Sequence, residues 1–296
     1  MQASATSTRL ELSPIVAGLW RLGDWNLDVA QRVRWIEQAL ELGITAFDHA
    51  DIYGDYGAER LFGEALAASP ALRATMQLVT KCGIRLCSPR LPYRLNHYDT
   101  TAGYVRAQVE QSLRNLHTDW LDLVLIHRPD YLMDATELAD TFDALTREGK
   151  VRHWGVSNHR TSQFALLHAR HPLATNQIEL SPLHLDALDD GTLDQAQQLG
   201  LRPMIWSPLG GGRLFAGEDA QAVRVRQTME EIARRLGISV ATLAFAWILR
   251  HPSRPHPITG TGRIDGLRDA VAALDVRLAA EDWYAIWTAS KGHPVP

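Results

Sequence analysis

A closed (β/α)8 barrel of the TIM type, with extended loops at its C-terminal face, is the α/β fold this sequence predicts, on three observations. Eight short apolar runs recur along the chain, segments of helical periodicity separate them, and no linker or low-complexity stretch interrupts the rhythm. Parallel strands need crossover helices, and eight such strands close a barrel. A chain of 296 residues suits one barrel with its loops, since such domains run to roughly 250 residues. The barrel domain is expected over residues 10–296, behind a flexible N-terminal tail over residues 1–9.

In chain order, strands are expected at 15–19, 44–47, 77–80, 121–126, 152–156, 174–178, 202–206 and 257–259. Several are continuous apolar runs, as burial on both faces requires. After the first strand, Asp28 reads as a helix N-cap, Val29, Val33, Ile36 and Leu40 recur at helical spacing, and Gly43 supplies the stop. Val105, Val109, Leu113 and Leu116 repeat the pattern later. Two long connections, 82–101 and 207–220, follow predicted strands, which places both at the C-terminal mouth where barrel enzymes carry their sites.

Composition narrows the function. With 46 % hydrophobic and 22 % charged residues the chain can bury a large core. A net charge of -4, both signs scattered, provides no basic stripe for nucleic acid. The cysteines, Cys82 and Cys87, form no CxxC pair, which favours a reducing, cytoplasmic setting. Residues 1–8 lack the basic and apolar regions of a secretory signal. The charge-free stretch 236–249 is shorter than the roughly 20 apolar residues of a membrane span, so a buried helix is expected there and no membrane partner.

Four ionisable residues stand at or just beyond the ends of three successive predicted strands: Asp48 and Tyr53 after the second, Lys81 after the third, His127 after the fourth. At a barrel mouth they converge on one point, and their chemistry suits carbonyl reduction, in which hydride addition builds negative charge on oxygen that a proton must meet. Tyr53 is the natural proton donor. A Lys81 ammonium beside it is expected to bring the phenol down from about 10. Asp48 would keep Lys81 charged, and His127 would hydrogen-bond the carbonyl oxygen.

Each of the four has an ordinary alternative: a cap or surface ion pair for Asp48, a boundary residue for Tyr53, a solvated charge for Lys81, a structural histidine for His127. Their joint placement favours the site. His49, Asp51 and His127 also suggest a metal, but no His-x-His pair follows the first strand, as the common barrel metal hydrolases require, and none is expected.

The segments Phe47-Asp48-His49-Ala50-Asp51-Ile52-Tyr53-Gly54, Thr80-Lys81-Cys82-Gly83, Leu125-Ile126-His127-Arg128-Pro129 and Trp154-Gly155-Val156-Ser157-Asn158 resemble the aldo-keto reductase superfamily in order and spacing. The likeness runs from about Leu10 to the C-terminal helix. It is nearest to a bacterial oxidoreductase branch with a Ser-Pro-Leu-Gly-Gly-Gly-Arg-Leu segment, here Ser207 to Leu214. The resemblance implies a metal-free tetrad of Asp48, Tyr53, Lys81 and His127, a small-molecule carbonyl substrate, and NADP(H) as cofactor, with NAD(H) as the other option.

Residue by residue, the resemblance implies that Ser157, Asn158 and Gln177 hold the nicotinamide carboxamide, with Trp206 stacked beneath the ring. Ser207, Leu209 and Gly211 would lie along the pyrophosphate, where the Gly210-Gly211-Gly212 run lets backbone N–H groups approach an anion. Gly260-Thr261-Gly262-Arg263 resembles a second phosphate loop, with Thr261 lining it, Arg263 toward a 2'-phosphate and Asp269 at the adenine end. Here the chain departs from the family: Gly260, Gly266 and Ala270 replace a common lysine, arginine and asparagine, while Arg268 offers a substitute charge. Trp20 is expected in a mostly apolar substrate pocket, with Trp25 and residues 85–96 as further walls. A slow-turnover NADP(H)-binding regulatory protein, as potassium-channel β subunits are, is the alternative on the same fold. Oligomeric state has no signal in the sequence.

Overall fold

The computed structural model describes residues 10–89 and 91–296; the tail expected over residues 1–9 lies outside them. Eight parallel strands close into a barrel: β1 (Val16–Gly18), β2 (Ala46–Asp48), β3 (Gln77–Cys82), β4 (Leu121–Ile126), β5 (Val151–Ser157), β6 (Asn176–Glu179), β7 (Met204–Trp206) and β8 (His256–Thr259), the last pairing with β1. Each overlaps a predicted run. The ends shift by a residue or two, because pairing rather than hydrophobicity sets where a strand begins.

Alternation along the strands sorts the side chains into two layers. Val16, Ala46, Val79, Leu123, Leu125, Met204 and Ile258 fill the barrel interior. Their neighbours Ala17, Phe47, Leu78, Val124 and Ile126 pack outward against the helices. A strand repeats every two residues, so the next inward position after Ala46 is Asp48, after Val79 it is Lys81, and after Leu125 it is His127. This parity brings three residues distant in sequence to one mouth.

The helices begin and end where local chemistry directs. Asp28 caps Val29–Glu41: its side chain accepts from Gln31 N at 2.7 Å, and Gln31 Oε1 accepts from Asp28 N at 2.9 Å. Gly43 follows with a φ of +78°. The charge-free stretch becomes the buried helix Val240–Leu249, capped by Ser239. Among the described residues no single helix is long and apolar enough to cross a membrane.

Helix Ala58–Ala68 meets the end of helix Ala102–Asn115 so closely that a Cβ on Gly63 would lie 1.9 Å from the Asn115 carbonyl oxygen. The missing side chain at Gly63 permits this approach, and the buried Glu59 of the first helix accepts hydrogen bonds from Thr80 at 2.6 Å and, across the contact, from Asn115 at 3.1 Å. Gly63→Ala must push the two helices apart. It is expected to destabilise the protein by about 1–3 kcal/mol, the usual range for overpacking, read as a lower urea midpoint with an unchanged slope.

Both long connections carry more structure than loops. Residues 82–101 contain an antiparallel pair, Ile84–Arg85 with His97–Tyr98. Arg85 ties it to Asp99, with Nε 2.8 Å from Oδ2, and also reaches the Tyr93 hydroxyl. Residues 207–220 contain a 3-10 turn, Gly210–Gly212, and a short helix, Arg213–Ala216. Trp25, expected in a pocket wall, instead packs 4.9 Å from Trp35 against the core, and its ring covers Gly262, where a Cβ would meet it at 2.7 Å.

Candidate active site

The barrel mouth holds Lys81 with no exposure to solvent. Its Nζ donates to Asp48 Oδ2 at 2.7 Å, to the His49 carbonyl at 2.7 Å and to the Tyr53 hydroxyl at 3.1 Å. An ammonium has three protons, and all are committed. The Tyr53 oxygen is therefore an acceptor toward Lys81, and its own hydrogen donates to no group among the described residues. The Tyr53 and His127 rings stand edge to face, centroids 5.9 Å apart. His127 Nδ1 is buried without a partner.

Tyr53 sits outside the strand, and its loop bends hard to bring the phenol back. Gly54, Asp55 and Tyr56 take φ values of +59°, +51° and +66° in succession. Only the glycine adopts that region without steric cost, so the turn stores strain at the site.

Burial dominates the electrostatics. It would lower the Lys81 ammonium, but Asp48 and the Tyr53 oxygen outweigh it and hold the group above its ordinary value. Burial, then the Lys81 and Arg128 charges, hold His127 well below its ordinary value, so the imidazole is neutral. For Tyr53 the expectation from sequence is corrected. Lys81 does pull the phenol down, but burial, assisted by the Asp48 charge, leaves it raised above 10.0. Tyr53 is fully protonated at neutral pH. Of the three residues of the metal alternative, only His127 brings its side chain to this cluster: the His49 ring lies edge-on to Phe62 at 4.6 Å and is pushed down to about 3 by burial, and Asp51 Oδ1 accepts from Ile52 N.

Beside the tetrad runs a second chain of hydrogen bonds. Trp206 Nε1 donates to Asn158 Oδ1 at 3.0 Å, Asn158 Nδ2 to Ser157 Oγ at 2.8 Å, and Ser157 Oγ to the Gln177 carbonyl at 3.0 Å. Gln177 Nε2 reaches Asp48 Oδ1 at 2.9 Å. The two networks therefore share the Asp48 carboxylate. Gln177 Oε1 accepts no hydrogen bond among the described residues, and a nicotinamide carboxamide, which has an NH2 to donate, fits that donor and acceptor set. Asn158 and Ser207 carry left-handed φ values of +57° and +52°.

Leu209 and Gly211 lie in the turn after β7, with open space on the side of Gly211 where a Cβ would stand. Thr261 Oγ1 accepts from Arg263 N at 3.1 Å, and Arg263 is exposed at the start of helix Ile264–Ala272. Asp269 is less free than the sequence suggests: its Oδ1 accepts from Ser239 Oγ at 2.8 Å, joining two helices. Ala270 is fully buried, and a Cβ at Gly266 would lie 2.8 Å from the Thr261 side chain. Arg268 is paired with Asp265 at 2.7 Å. Trp20 is 61 % exposed, with the Arg21 guanidinium 5.1 Å from its ring centroid.

A cleft of about 320 Å³ adjoins Asn158 and Trp206, and it is not apolar. Arg128, Glu179, His184 and Asp186 line it, and Trp20 does not. Sequence reasoning missed all four residues. A usable signal existed for two of them, since Arg128 directly follows His127 and Glu179 ends β6.

The profile of the Aldo/keto reductase family matches residues 14–291. Oxidoreductase YdhF of Escherichia coli is 50% identical over 97% of this chain and 96% of its own length. A 6-dehydroglucose reductase of Agrobacterium fabrum is 44% identical over 100% of both chains. The glycerol dehydrogenase AKR11B4 from Gluconobacter oxydans superposes with a TM-score of 0.85 at 24% identity, covering 98% of each chain, and shares the fold. With a barrel of this topology and a family match across nearly its whole length, the chain belongs to the aldo/keto reductase family and is an oxidoreductase, of a family that reduces carbonyl groups with NAD(P)H.

Proposed function

We propose that the protein reduces aldehydes or ketones to alcohols with Tyr53 as the general acid. One observation carries this reading: Lys81 donates to the Tyr53 oxygen at 3.1 Å, and the phenolic hydrogen has no acceptor among the described residues. A bound NAD(P)H supplies the hydride. The neutral His127 donates a hydrogen bond to the carbonyl oxygen and fixes its direction, and Tyr53 delivers the proton as negative charge develops there. Lys81, held charged by Asp48, stabilises the phenolate that remains. Ser157, Asn158 and Gln177 hold the carboxamide, Trp206 supports the ring, and Ser207, Leu209, Gly211 and Thr261 line the phosphates, with Asp269 near the adenosine. Trp20 is assigned to the outer rim of the substrate site.

The reading is tested by NADPH oxidation over a panel of aldehydes, ketones and diketones. The relatives named 6-dehydroglucose reductase make an oxidised sugar one of the first to try. Complete inactivity over the panel, with NADPH binding retained, would favour the regulatory alternative.

The charge states imply a pH profile. Tyr53, raised above 10.0, keeps its proton through neutrality, and His127, well below 6.5, does not acquire one. In reduction, kcat/KM is expected to show no inflection between pH 6.5 and pH 10. An acid limb centred near pH 6.5 would mean that His127 titrates in the free enzyme, and its role as a neutral donor would fall.

We propose NADP(H) as the preferred cofactor, through Arg263. Its exposed guanidinium makes no ion pair among the described residues and stands at the helix start. Arg263→Ala is expected to weaken NADPH binding by about 10-fold and NADH binding little, since only the former carries the 2'-phosphate. Equal losses for both cofactors, measured by quenching of tryptophan fluorescence, would remove Arg263 from that role.

A further inference from the structure

We propose that Tyr56 is a positioning residue for the general acid: its hydroxyl, seated on the Leu86 amide of the hairpin after β3, holds the strained turn that aims the Tyr53 phenol. The proposal rests on the reading of Tyr53 as proton donor. It adds the residue through which the fold fixes the donor's aim.

Tyr53 stands past the end of β2, where no strand pairing sets its direction. The three residues that follow it, Gly54, Asp55 and Tyr56, all take left-handed φ, and two of them carry side chains that crowd the backbone there. Such a run persists only where neighbouring contacts over-determine it. At its base the turn is closed by the Gly57 N–H, which donates to the Tyr53 and Gly54 carbonyls, each at 3.1 Å, as the chain enters helix Ala58–Ala68. At its far end the Tyr56 hydroxyl accepts from Leu86 N at 3.2 Å. Tyr56 is half-buried, and its ring, with few rotatable bonds, spans the gap to the hairpin as a stiff strut.

The Leu86 amide is a fixed point rather than part of a free loop. Leu86 directly follows Ile84–Arg85, which pairs antiparallel with His97–Tyr98. The Ile84 carbonyl accepts from the Tyr104 hydroxyl at 3.0 Å, and the Arg85 guanidinium lies 4.2 Å from the centroid of the same ring, on helix Ala102–Asn115. The next amide, Cys87 N, donates to Asn96 Oδ1 at 2.6 Å across the hairpin. The hairpin is thus braced against the outer layer of the barrel, and Tyr56 passes that bracing to the turn. Without its hydroxyl the turn keeps its base and loses its hold at the far end, so the left-handed residues are free to relax. The Tyr53 oxygen keeps its contact with Lys81 at 3.1 Å, but one hydrogen bond fixes a distance and not a direction. A displacement of about 1 Å at a reacting group costs up to about 100-fold in rate.

The test measures single-turnover reduction by the whole enzyme loaded with NADPH, with benzaldehyde, or a faster carbonyl compound of the same panel, as the probe. Tyr56→Phe removes the hydroxyl and keeps the ring. It is expected to slow the chemical step about 10-fold, while NADPH affinity, read by tryptophan fluorescence, stays nearly unchanged. Placed in the Tyr53→Phe background the same change should cost nothing further, because a residue that acts through Tyr53 has nothing left to aim. A change that merely weakens the fold slows both backgrounds alike. Leu86→Pro deletes the amide from the other side; the preceding Arg85 is already extended, as proline demands, and the expected loss is again about 10-fold. Tyr56→Phe combined with Leu86→Pro should be no slower than either alone. Leu86→Pro also carries the test where Tyr56→Phe does not fold. Wild-type rates in the single variants, or an equal loss from Tyr56→Phe with and without the Tyr53 hydroxyl, overturn the proposal and leave Tyr53 as the acid. A wild-type rate in Tyr53→Phe, or an enzyme that reduces no carbonyl of the panel, overturns both.

Discussion

In Tyr53→Phe, kcat for carbonyl reduction is expected to fall by about 100-fold or more, while NADPH binds with nearly unchanged affinity. The substitution removes one oxygen and its proton and keeps the ring that stands edge to face with His127 at 5.9 Å. Lys81 retains its other two acceptors, Asp48 and the His49 carbonyl, so the buried ammonium stays held. The carboxamide contacts proposed for Ser157, Asn158 and Gln177 involve no Tyr53 atom. Single-turnover reduction and fluorescence titration with NADPH separate the two effects. Wild-type rates in this variant would show that the proton comes from another group. A large loss of NADPH affinity would show that Tyr53 also supports the cofactor.

Lys81→Met produces a second large effect, this time on stability as well as rate. Lys81 and Asp48 form a buried pair at 2.7 Å, and taking away the ammonium leaves a carboxylate at the barrel mouth with Gln177 as its one side-chain partner among the described residues. Breaking a buried pair from one side costs about 3–5 kcal/mol, because the remaining charge has lost both water and counter-charge. A drop of that size in urea denaturation is expected, along with loss of reductase activity. The double variant Asp48→Asn with Lys81→Met removes the orphaned charge and should recover much of the stability and none of the activity. That contrast assigns the pair to the phenol rather than to the fold. Equal stability for wild type and Lys81→Met would mean that Asp48 is solvated, and the burial that raises Tyr53 would be in question too.

Strand order, helix caps and the convergence of Asp48, Lys81 and His127 were legible in the chain because each is a local or periodic property. Apolar runs mark strands, Asp28 and Gly43 mark helix ends, and the two-residue repeat carries inward parity from Ala46, Val79 and Leu125 to the mouth. The chemistry shared by Asp48, Tyr53, Lys81 and His127 was readable from their places at strand ends, while Ser157, Asn158 and the other cofactor residues came from the resemblance to the family. Tertiary structure alone decided what depends on burial and on contact between distant residues. Gln177 reaches Asp48 across 129 positions and links the two networks, which no spacing rule reveals. The phenol is raised rather than lowered because desolvation at the mouth exceeds the pull of Lys81, a balance of depth against charge. Asp269 is drawn into a contact between helices, Trp25 packs against the core, and a charged cleft, unforeseen from the sequence, opens beside Trp206. Local sequence dictates which way each side chain leaves its strand; only closure of the barrel settles which side chains it meets and how much water they keep.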